Sequence, residues 1–301
     1  MKNVSSKFLE RWKEGAKAMQ IPEEFYSGLL VRRIEDKSGK IDYPLAVVYN
    51  PGRIKRPSQG QGTVDCHMCR MADEAETEPI KNLAPEMTKK GVIVTPNGFP
   101  PSEGAVLLIS RPEVPMYTSK DLGYLGHNGE FLGELIDFTS KQGLNLYHQT
   151  VGAGATIARH EHFHGTTMYK FQEKVGAIGF DSTELKKVSE GVSVMPQFPL
   201  AHLVFTDNDP AKIVYFLKRM QATLPSPMTD GSIPHTMSQG NQGILITPTR
   251  IDVGRSMGSE RAPGYFFVPS REEFDSVNYE GAMQFMSDRF FSKDIGLEKI
   301  L

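Results

Sequence analysis

Three histidines alternate with other residues over a short stretch, at His160, His162 and His164. A β-strand turns every second side chain to the same face, so this spacing predicts a strand that presents three imidazoles together. The chain has eight histidines in 301 residues, so composition alone rarely produces such a cluster. Imidazole nitrogens bind metals and act as nucleophiles or bases near neutral pH. The strand therefore indicates either a metal cluster or a site in which one histidine attacks a substrate.

A run of small residues precedes the histidines at positions 152–156 and contains Gly154, Ala155 and Thr156. Such a run lets the backbone come close to a ligand, and its amide groups can face an anion. These three residues are therefore candidates for binding a phosphate beside the histidines.

The two cysteines of the chain, Cys66 and Cys69, have the C-x-x-C spacing. One tight loop with this spacing can offer both sulfurs to a metal ion. Because both cysteines fall in this one motif, they indicate metal binding or redox chemistry in a reducing compartment rather than a disulfide framework. We therefore expect a cytoplasmic protein.

Charge and length limit the classes of protein to which this chain can belong. A formal net charge of −2 and a pI near 6.5 provide no general attraction for nucleic acid or acidic membranes, so any phosphate recognition must be local. The longest apolar run, 105–109, is far too short to span a bilayer. With 301 residues and 39% hydrophobic content, the chain can form one large domain or two packed halves.

Hydrophobic periodicity predicts helices and strands along the whole chain. The predicted helices are at 5–19, at 128–142, from position 209 and after position 270, and the predicted strands are at 45–49, 92–94, 105–109, 144–150, 203–205, 243–247 and 265–268. Asp209 and Pro210 fit a helix N-cap and first helical position, and Ser270 with Glu273 fits a capping box.

The stretch 154–164 resembles the histidine triad (HIT) superfamily, whose signature is three alternating histidines after a small-residue phosphate site. A second segment resembles one branch of that superfamily. The order Asn50-Pro51, Arg53, Arg56, then Cys66 and Cys69, is similar to the start of galactose-1-phosphate uridylyltransferases, in which an Asn-Pro and arginine segment precedes a zinc-binding C-x-x-C.

Two further segments agree with this branch. Asn97 and Phe99, followed by the apolar run 105–109, resemble the nucleoside-binding strand pair of the uridylyltransferases and of the dinucleoside polyphosphate phosphorylases, and 199–205 resembles the start of their second half. The resemblance covers roughly residues 45–270. It implies an α+β fold, a HIT-like antiparallel sheet with flanking helices, with a catalytic half at 1–175 and a second HIT-like half at 176–301 packed on the first.

The resemblance also implies a mechanism and roles for individual residues. An imidazole attacks the α-phosphorus of a nucleotide and forms a covalent nucleotidyl-histidine, which a second acceptor then resolves. His162 is the implied nucleophile, and His164 contacts the phosphate or the leaving group. Asn97 and Phe99 bind the nucleoside, and the phosphate-binding groups are Arg53, Arg56, Gly154, Ala155 and Thr156.

A structural zinc ion is the implied cofactor, with His160 as one ligand. The family's third ligand is a histidine after the nucleoside-binding strands, and Glu113 stands at that place here. Zinc accepts a carboxylate, so Cys66, Cys69, Glu113 and His160 form a plausible tetrahedral set, for which His67 or His127 are substitutes.

The chain departs from the branch at two positions that bear on function. The uridylyltransferases and phosphorylases usually carry glutamine where this chain has His164, whereas hydrolytic triad proteins carry histidine. His148 stands where the family commonly has asparagine, and it is as well explained by packing as by function. We treat His202 and His235 as structural residues.

Three functions remain open. The favoured one is a nucleotidyltransferase or phosphorylase with a phosphate or sugar-phosphate acceptor, because hydrolytic triad proteins need only about half this length. A hydrolase of dinucleoside polyphosphates or nucleotide sugars and a non-catalytic nucleotide or metal sensor are the alternatives. A hydrolase that uses all three histidines as metal ligands is disfavoured, because the nearby Glu161 falls on the opposite face of the strand. The expected partner is a small nucleotide, with a homodimer as a further expectation from the relatives.

Overall fold

A computed structural model describes residues 4–52, 67–110, 129–150, 153, 161–167, 169–228, 231, 233–250 and 264–301. Within these ranges, no helix combines the length and the apolar character that a membrane span requires.

Two sheets and eight α-helices make up the described part of the chain. The strands are β1 (Leu30–Ile34), β2 (Leu45–Tyr49), β3 (Val92–Pro96), β4 (Val106–Ser110), β5 (Asn145–Gln149), β6 (His162–Thr166), β7 (Lys186–Ser189), β8 (Val192–Val194), β9 (Leu203–Phe205), β10 (His235–Gly240), β11 (Gly243–Pro248) and β12 (Tyr265–Val268). The helices are α1 (Ser6–Ala18), α2 (His67–Thr77), α3 (Pro85–Thr88), α4 (Gly129–Gln142), α5 (Tyr169–Val175), α6 (Pro210–Thr223), α7 (Arg271–Ser276) and α8 (Tyr279–Ser287).

The larger sheet has nine strands in the order β3-β4-β6-β5-β10-β11-β9-β8-β7, and all the pairs within it are antiparallel. Its first four strands come from residues before 167 and its last five from residues after 185, and β5 and β10 join the two groups. The smaller sheet has the order β1-β2-β12, with β12 parallel to β2. The predicted division into halves at 175 stays a prediction.

One face of the nine-stranded sheet is covered by helices. Its inward side chains include Val94, Leu108, Phe163, Met237 and Ile246, which form one apolar cluster with residues of α1, α4 and α6. The apolar residues of α1 recur at helical spacing, so Phe8, Trp12 and Ala16 are buried while the charged residues between them reach solvent.

The other face of this sheet is covered by two different elements. Helix α2 packs against Ile93, Leu107 and Ile109 at the β3–β4 side. The three-stranded sheet packs through Leu45 and Val47 against Val204 and Leu245 at the β9–β11 side. The histidine strand β6 therefore lies between two covers.

Most predicted elements are confirmed, including both N-caps. Asp209 accepts from the backbone of Ala211, and Ser270 accepts from that of Glu273. The predicted tight loop around the cysteines is wrong at Cys69, which lies in the first turn of helix α2. The apolar Met68, Met71 and Ala72 recur there at helical spacing, and their burial against the sheet stabilises a helix. Strands β1, β7, β8 and β10 were not predicted.

Candidate active site

His162 and His164 lie side by side on one face of β6. Ile109 pairs with His162 and Leu107 with His164 on one flank, and both partners belong to the face that α2 covers. The two imidazole centroids are 5.3 Å apart, with their planes at 67°. His162 is 8% exposed and buried, whereas His164 is partly exposed. The strand thus presents two adjacent imidazoles, one shielded and one that a ligand can reach.

The opposite face of the histidine strand is closed by aromatic packing. Phe163 stacks on His148 with ring centroids 4.2 Å apart and planes at 22°. Phe131 packs edge-on against the ring of Phe163. Complete burial lowers the pKa of His148 well below its usual value, and the positive charges of His235, His162 and His164 would lower it further. His148 is therefore a neutral core residue behind the site rather than a group on the reactive face.

Gln149, the neighbour of His148 on β5, points to the reactive face. The register pairs Tyr147 with His164, and continuing it by two residues places Gln149 opposite His162. The Gln149 amide donates to the carbonyl of Ala153 at 2.9 Å, at the start of the segment that contains the predicted phosphate-binding residues. Strand alternation puts Gln149 and His148 on opposite faces, but only the register between β5 and β6 shows that Gln149 is the one on the histidine face.

Two further polar side chains, from the second group of strands, are in register with His162 and Gln149. These residues form what we call the row of His162. Thr236 on β10 pairs with Gln149, and Thr247 on β11 pairs with Thr236. These threonines could not be identified from the sequence, because β10 was not predicted and its neighbour in the sheet is almost ninety residues earlier in the chain.

Asn97 and Phe99 lie in the turn that follows β3. The Asn97 side-chain oxygen accepts from the backbone of Phe99 at 2.9 Å, which shapes the turn. The ring of Phe99 packs on Phe25 with centroids 5.6 Å apart. Phe25 and Phe99 line a cleft of about 430 Å³ together with Arg70 of α2. Phe99 thus borders a cleft that has aromatic walls and both positive and negative charges, from Arg70, Lys81 and Glu74, while Asn97 shapes the turn that holds Phe99.

One predicted metal ligand, Cys69, is described, and it is partly buried in α2, the helix that covers the histidine face. The described residues nearest in sequence to two of the others are hydrogen-bonded to each other, because Ser110 donates to the Glu161 carbonyl through its backbone at 3.2 Å and its hydroxyl at 2.9 Å. Glu113 is three residues beyond Ser110, and His160 is adjacent to Glu161. This donor set of two thiolates, an imidazole and a carboxylate matches the chemistry of a structural zinc site. Within the described ranges no group of three potential metal ligands is assembled.

Eight predicted site residues lie outside the described residues, namely Arg53, Arg56, Cys66, Glu113, Gly154, Ala155, Thr156 and His160. Their roles stay predictions. The alternative ligand His127 also lies outside, whereas His67 begins α2 and its Nδ1 is 2.9 Å from a guanidinium nitrogen of Arg70.

His202 and His235 are structural, as predicted. Both are buried, and burial lowers the pKa of each to about 4. The Nε2 atom of His202 accepts from the backbone of Met195 at 2.7 Å, which fixes the neutral ring in one tautomer.

The fold is similar to that of crystal structures of yeast Ap4A phosphorylase Apa2. The structure in complex with AMP aligns with a TM-score of 0.64 and 10% identity over 97% of this chain and 98% of the yeast chain. The structure in complex with Ap4A aligns with a TM-score of 0.63 and 11% identity over 97% and 98% of the two chains. This similarity establishes the fold and confirms the predicted fold class.

Other comparisons add little. An ADP-glucose phosphorylase from Arabidopsis thaliana with bound ADP-glucose aligns over 83% of this chain and 99% of that chain at 12% identity, but its TM-score of 0.32 is too low to support an argument. No protein-family model matches the chain. No curated protein matches its sequence.

Proposed function

We propose that this chain, which has the fold of a dinucleoside polyphosphate phosphorylase over nearly its full length, is a nucleotidyltransferase of the phosphorylase type. The observation that carries the proposal is the pair of adjacent imidazoles on one face of β6, with His162 shielded and His164 accessible. The substrate would be a dinucleoside polyphosphate or a nucleotide sugar. The acceptor would be phosphate or a sugar phosphate.

His162 is the proposed nucleophile. A ring nitrogen forms a bond to the α-phosphorus while the bond from phosphorus to the leaving-group oxygen breaks, and that oxygen departs with the electron pair. In the second step an acceptor oxygen attacks the phosphorus, and the phosphorus–nitrogen bond breaks. The shielded position of His162 keeps water from the intermediate.

His164 is proposed to contact the phosphate oxygens or the leaving group, because its ring is next to that of His162 and a ligand can reach it. A protonated imidazole at this position would stabilise the charge that develops on the departing oxygen. Arg53, Arg56 and the backbone amides at Gly154, Ala155 and Thr156 are proposed to bind the transferred phosphoryl group. Asn97 and Phe99 are proposed to hold the nucleoside.

A zinc ion is proposed as a structural cofactor held by Cys66, Cys69, Glu113 and His160. Zinc would tie α2 to the ends of the histidine strand and its neighbour, and it would supply folding free energy rather than chemistry at phosphorus. Metal analysis of the purified protein should find about one zinc per chain, and Cys66→Ser should lower both the zinc content and the midpoint of thermal unfolding. A metal-free protein with an unchanged midpoint in Cys66→Ser would refute this assignment.

The cysteine pair fits a reducing compartment, so we propose a cytoplasmic location. Two-fold association is proposed from the relatives, and light scattering of the purified protein tests it.

The test of the mechanism is a search for the covalent intermediate. The protein is incubated with a panel of nucleotides, dinucleoside polyphosphates and nucleotide sugars, and its intact mass is measured. We expect an adduct of one nucleoside monophosphate on the wild type, whose mass identifies the base, and no adduct on His162→Ala. His162→Ala should lower turnover by about 10³-fold or more while it retains nucleotide binding. An adduct on His162→Ala, or unchanged turnover, would refute the proposal.

A hydrolase is the second candidate. His164 favours it, because the phosphorylases that this chain resembles usually carry glutamine at that position, whereas hydrolytic triad proteins carry histidine. Turnover measured with and without phosphate or a sugar phosphate separates the two. A transferase is accelerated by its acceptor and incorporates it into the product, whereas a hydrolase releases the monophosphate at a rate that the acceptor does not change.

A further inference from the structure

Four buried hydroxyl groups without a hydrogen-bond partner share the face of the sheet that carries the histidines. Within the described ranges, the buried side-chain hydroxyls that lack a partner are those of Thr166, Thr236, Ser238 and Thr247. Thr166 is two residues beyond His164 on β6. Residues that oppose each other on neighbouring strands point to the same face of a sheet. Thr247 opposes Thr236, Thr236 opposes Gln149, and Ser238 opposes Tyr147, so the other three hydroxyls are also on the histidine face.

This concentration calls for a functional explanation. A buried hydroxyl without a partner loses its hydrogen bonds to water and gains none in return. Valine has nearly the same shape and avoids that cost, and the opposite face of the same strands is apolar, with Phe163, Met237 and Ile246. A buried polar group without a partner in a native protein calls for an explanation, and a ligand, an ion or an ordered water that completes its hydrogen bonds is one.

Two of the four hydroxyls extend the row of His162 across the sheet. Adjacent strands are about 4.8 Å apart. Because β5 separates β6 from β10, Thr236 lies about 10 Å from His162, and Thr247 on the next strand lies about 14 Å away. The candidate nucleoside residues Asn97 and Phe99 lie beyond β4 on the other side of His162 and toward the Thr166 end of β6, because Pro96 pairs with Val106 and Val106 with Gly165.

We propose that Thr236 and Thr247 form a subsite for the part of the substrate that lies beyond the attacked phosphorus. This inference rests on the proposed function. With the nucleoside on the β3–β4 side and the α-phosphorus at His162, the leaving group runs over β5 toward β10 and β11. A hydroxyl donates readily to an anionic phosphate oxygen, so the ligand chemistry is a phosphate-containing leaving group, either a polyphosphate chain or a sugar phosphate.

The subsite links the two groups of strands in function as well as in structure. Thr236 and Thr247 belong to the second group, and β5 and β10 are the strands that join it to the histidine strands. Neither hydroxyl is reached by solvent in this structure, so a substrate must displace whatever covers them in order to bind.

The test is equilibrium binding in the His162→Ala background, in which turnover does not interfere. Titration calorimetry measures Kd for AMP and diadenosine tetraphosphate, and for UMP and UDP-glucose, so that the two pairs distinguish a polyphosphate from a sugar-phosphate leaving group. Thr236→Val and Thr247→Val should each raise Kd for the longer ligand of the bound pair about tenfold, since a hydrogen bond to a charged group is lost. Kd for the monophosphate should not change.

Thr166→Val is the matched control. It removes a hydroxyl of the same kind from the same face, but four residues along β6 from His162, or about 13 Å. It should not weaken the longer ligand selectively, because Thr166 lies toward the candidate nucleoside residues and away from the leaving group. Thermal unfolding should show that all three valine variants are folded, with midpoints equal to or above the wild-type value, because each variant replaces an unpartnered buried hydroxyl.

Four outcomes overturn the subsite. The first three are an unchanged Kd for the longer ligand in both Thr236→Val and Thr247→Val, an equal loss for the longer ligand and the monophosphate in those variants, and the same selective loss in Thr166→Val. Absence of any binding to the His162→Ala protein also overturns it. The covalent mechanism fails separately. If the wild type forms no adduct but Thr236→Val selectively weakens the longer ligand, the subsite stands and the nucleotidyl-histidine does not.

Discussion

Acidification should destabilise this protein through histidines that are buried in neutral form, and His202 and His235 join His148 among them. His202 is 5% exposed and His235 is 1% exposed, and burial lowers the pKa of each to about 4. An imidazole in the unfolded chain has a pKa near 6.5. Between these values the unfolded state binds more protons than the folded state. The stabilisation that these neutral rings contribute is therefore complete above pH 6.5, and it is lost as the pH falls from 6.5 toward 4.

The size of the loss follows from these pKa values. At pH 5 the linkage relation gives a loss of about 2 kcal/mol for each histidine and about 4 kcal/mol for both. A folded domain is stable by only about 5–15 kcal/mol. The free energy of unfolding should therefore be markedly smaller at pH 5 than at pH 7.5.

Urea unfolding at pH 7.5 and pH 5, followed by the fluorescence of the single tryptophan, Trp12, measures the two free energies. His235→Gln removes one titrating group, so the difference between the two pH values should shrink by about 2 kcal/mol relative to the wild type. If His235→Gln keeps the full wild-type difference, burial of this neutral ring does not control acid stability.

Three further substitutions test how the fold is held together, each by urea unfolding followed by circular dichroism. Trp12→Phe should cost about 1–3 kcal/mol, because the buried indole N–H donates to the Ala105 carbonyl at 2.7 Å and the carbonyl would lose that donor; an unchanged midpoint would show that this bond contributes nothing. Asp209→Ala should cost about 1 kcal/mol through loss of the α6 N-cap, whose carboxylate accepts from Ala211 at 2.9 Å, whereas Asp209→Ser should retain most of it. Gly243→Ala should cost about 2 kcal/mol or more, since φ there is +134° and an added Cβ would lie 2.3 Å from the Phe205 carbonyl oxygen; wild-type stability would contradict the described hairpin.

The positions of most elements could be predicted from the sequence because their signals are local. The apolar spacing of α1 and the Asp209 and Ser270 caps depend on residues within a few positions of each other. Helix α2 was missed because its histidine and cysteine start resembled a metal-binding loop. It forms because its apolar side packs on Ile93, Leu107 and Ile109, which are distant in the sequence.

For the site, the sequence by itself determined that His162 and His164 share one face, because the two-residue period of a strand is a property of the backbone. The register between β5 and β6 was needed to show that His148 points to the opposite face. The tertiary structure alone decided that Gln149, Thr236 and Thr247 lie in the row of His162. Pairing between β5 and β10 depends on the hydrogen bonds and packing of the whole sheet, and no local pattern in either strand encodes it.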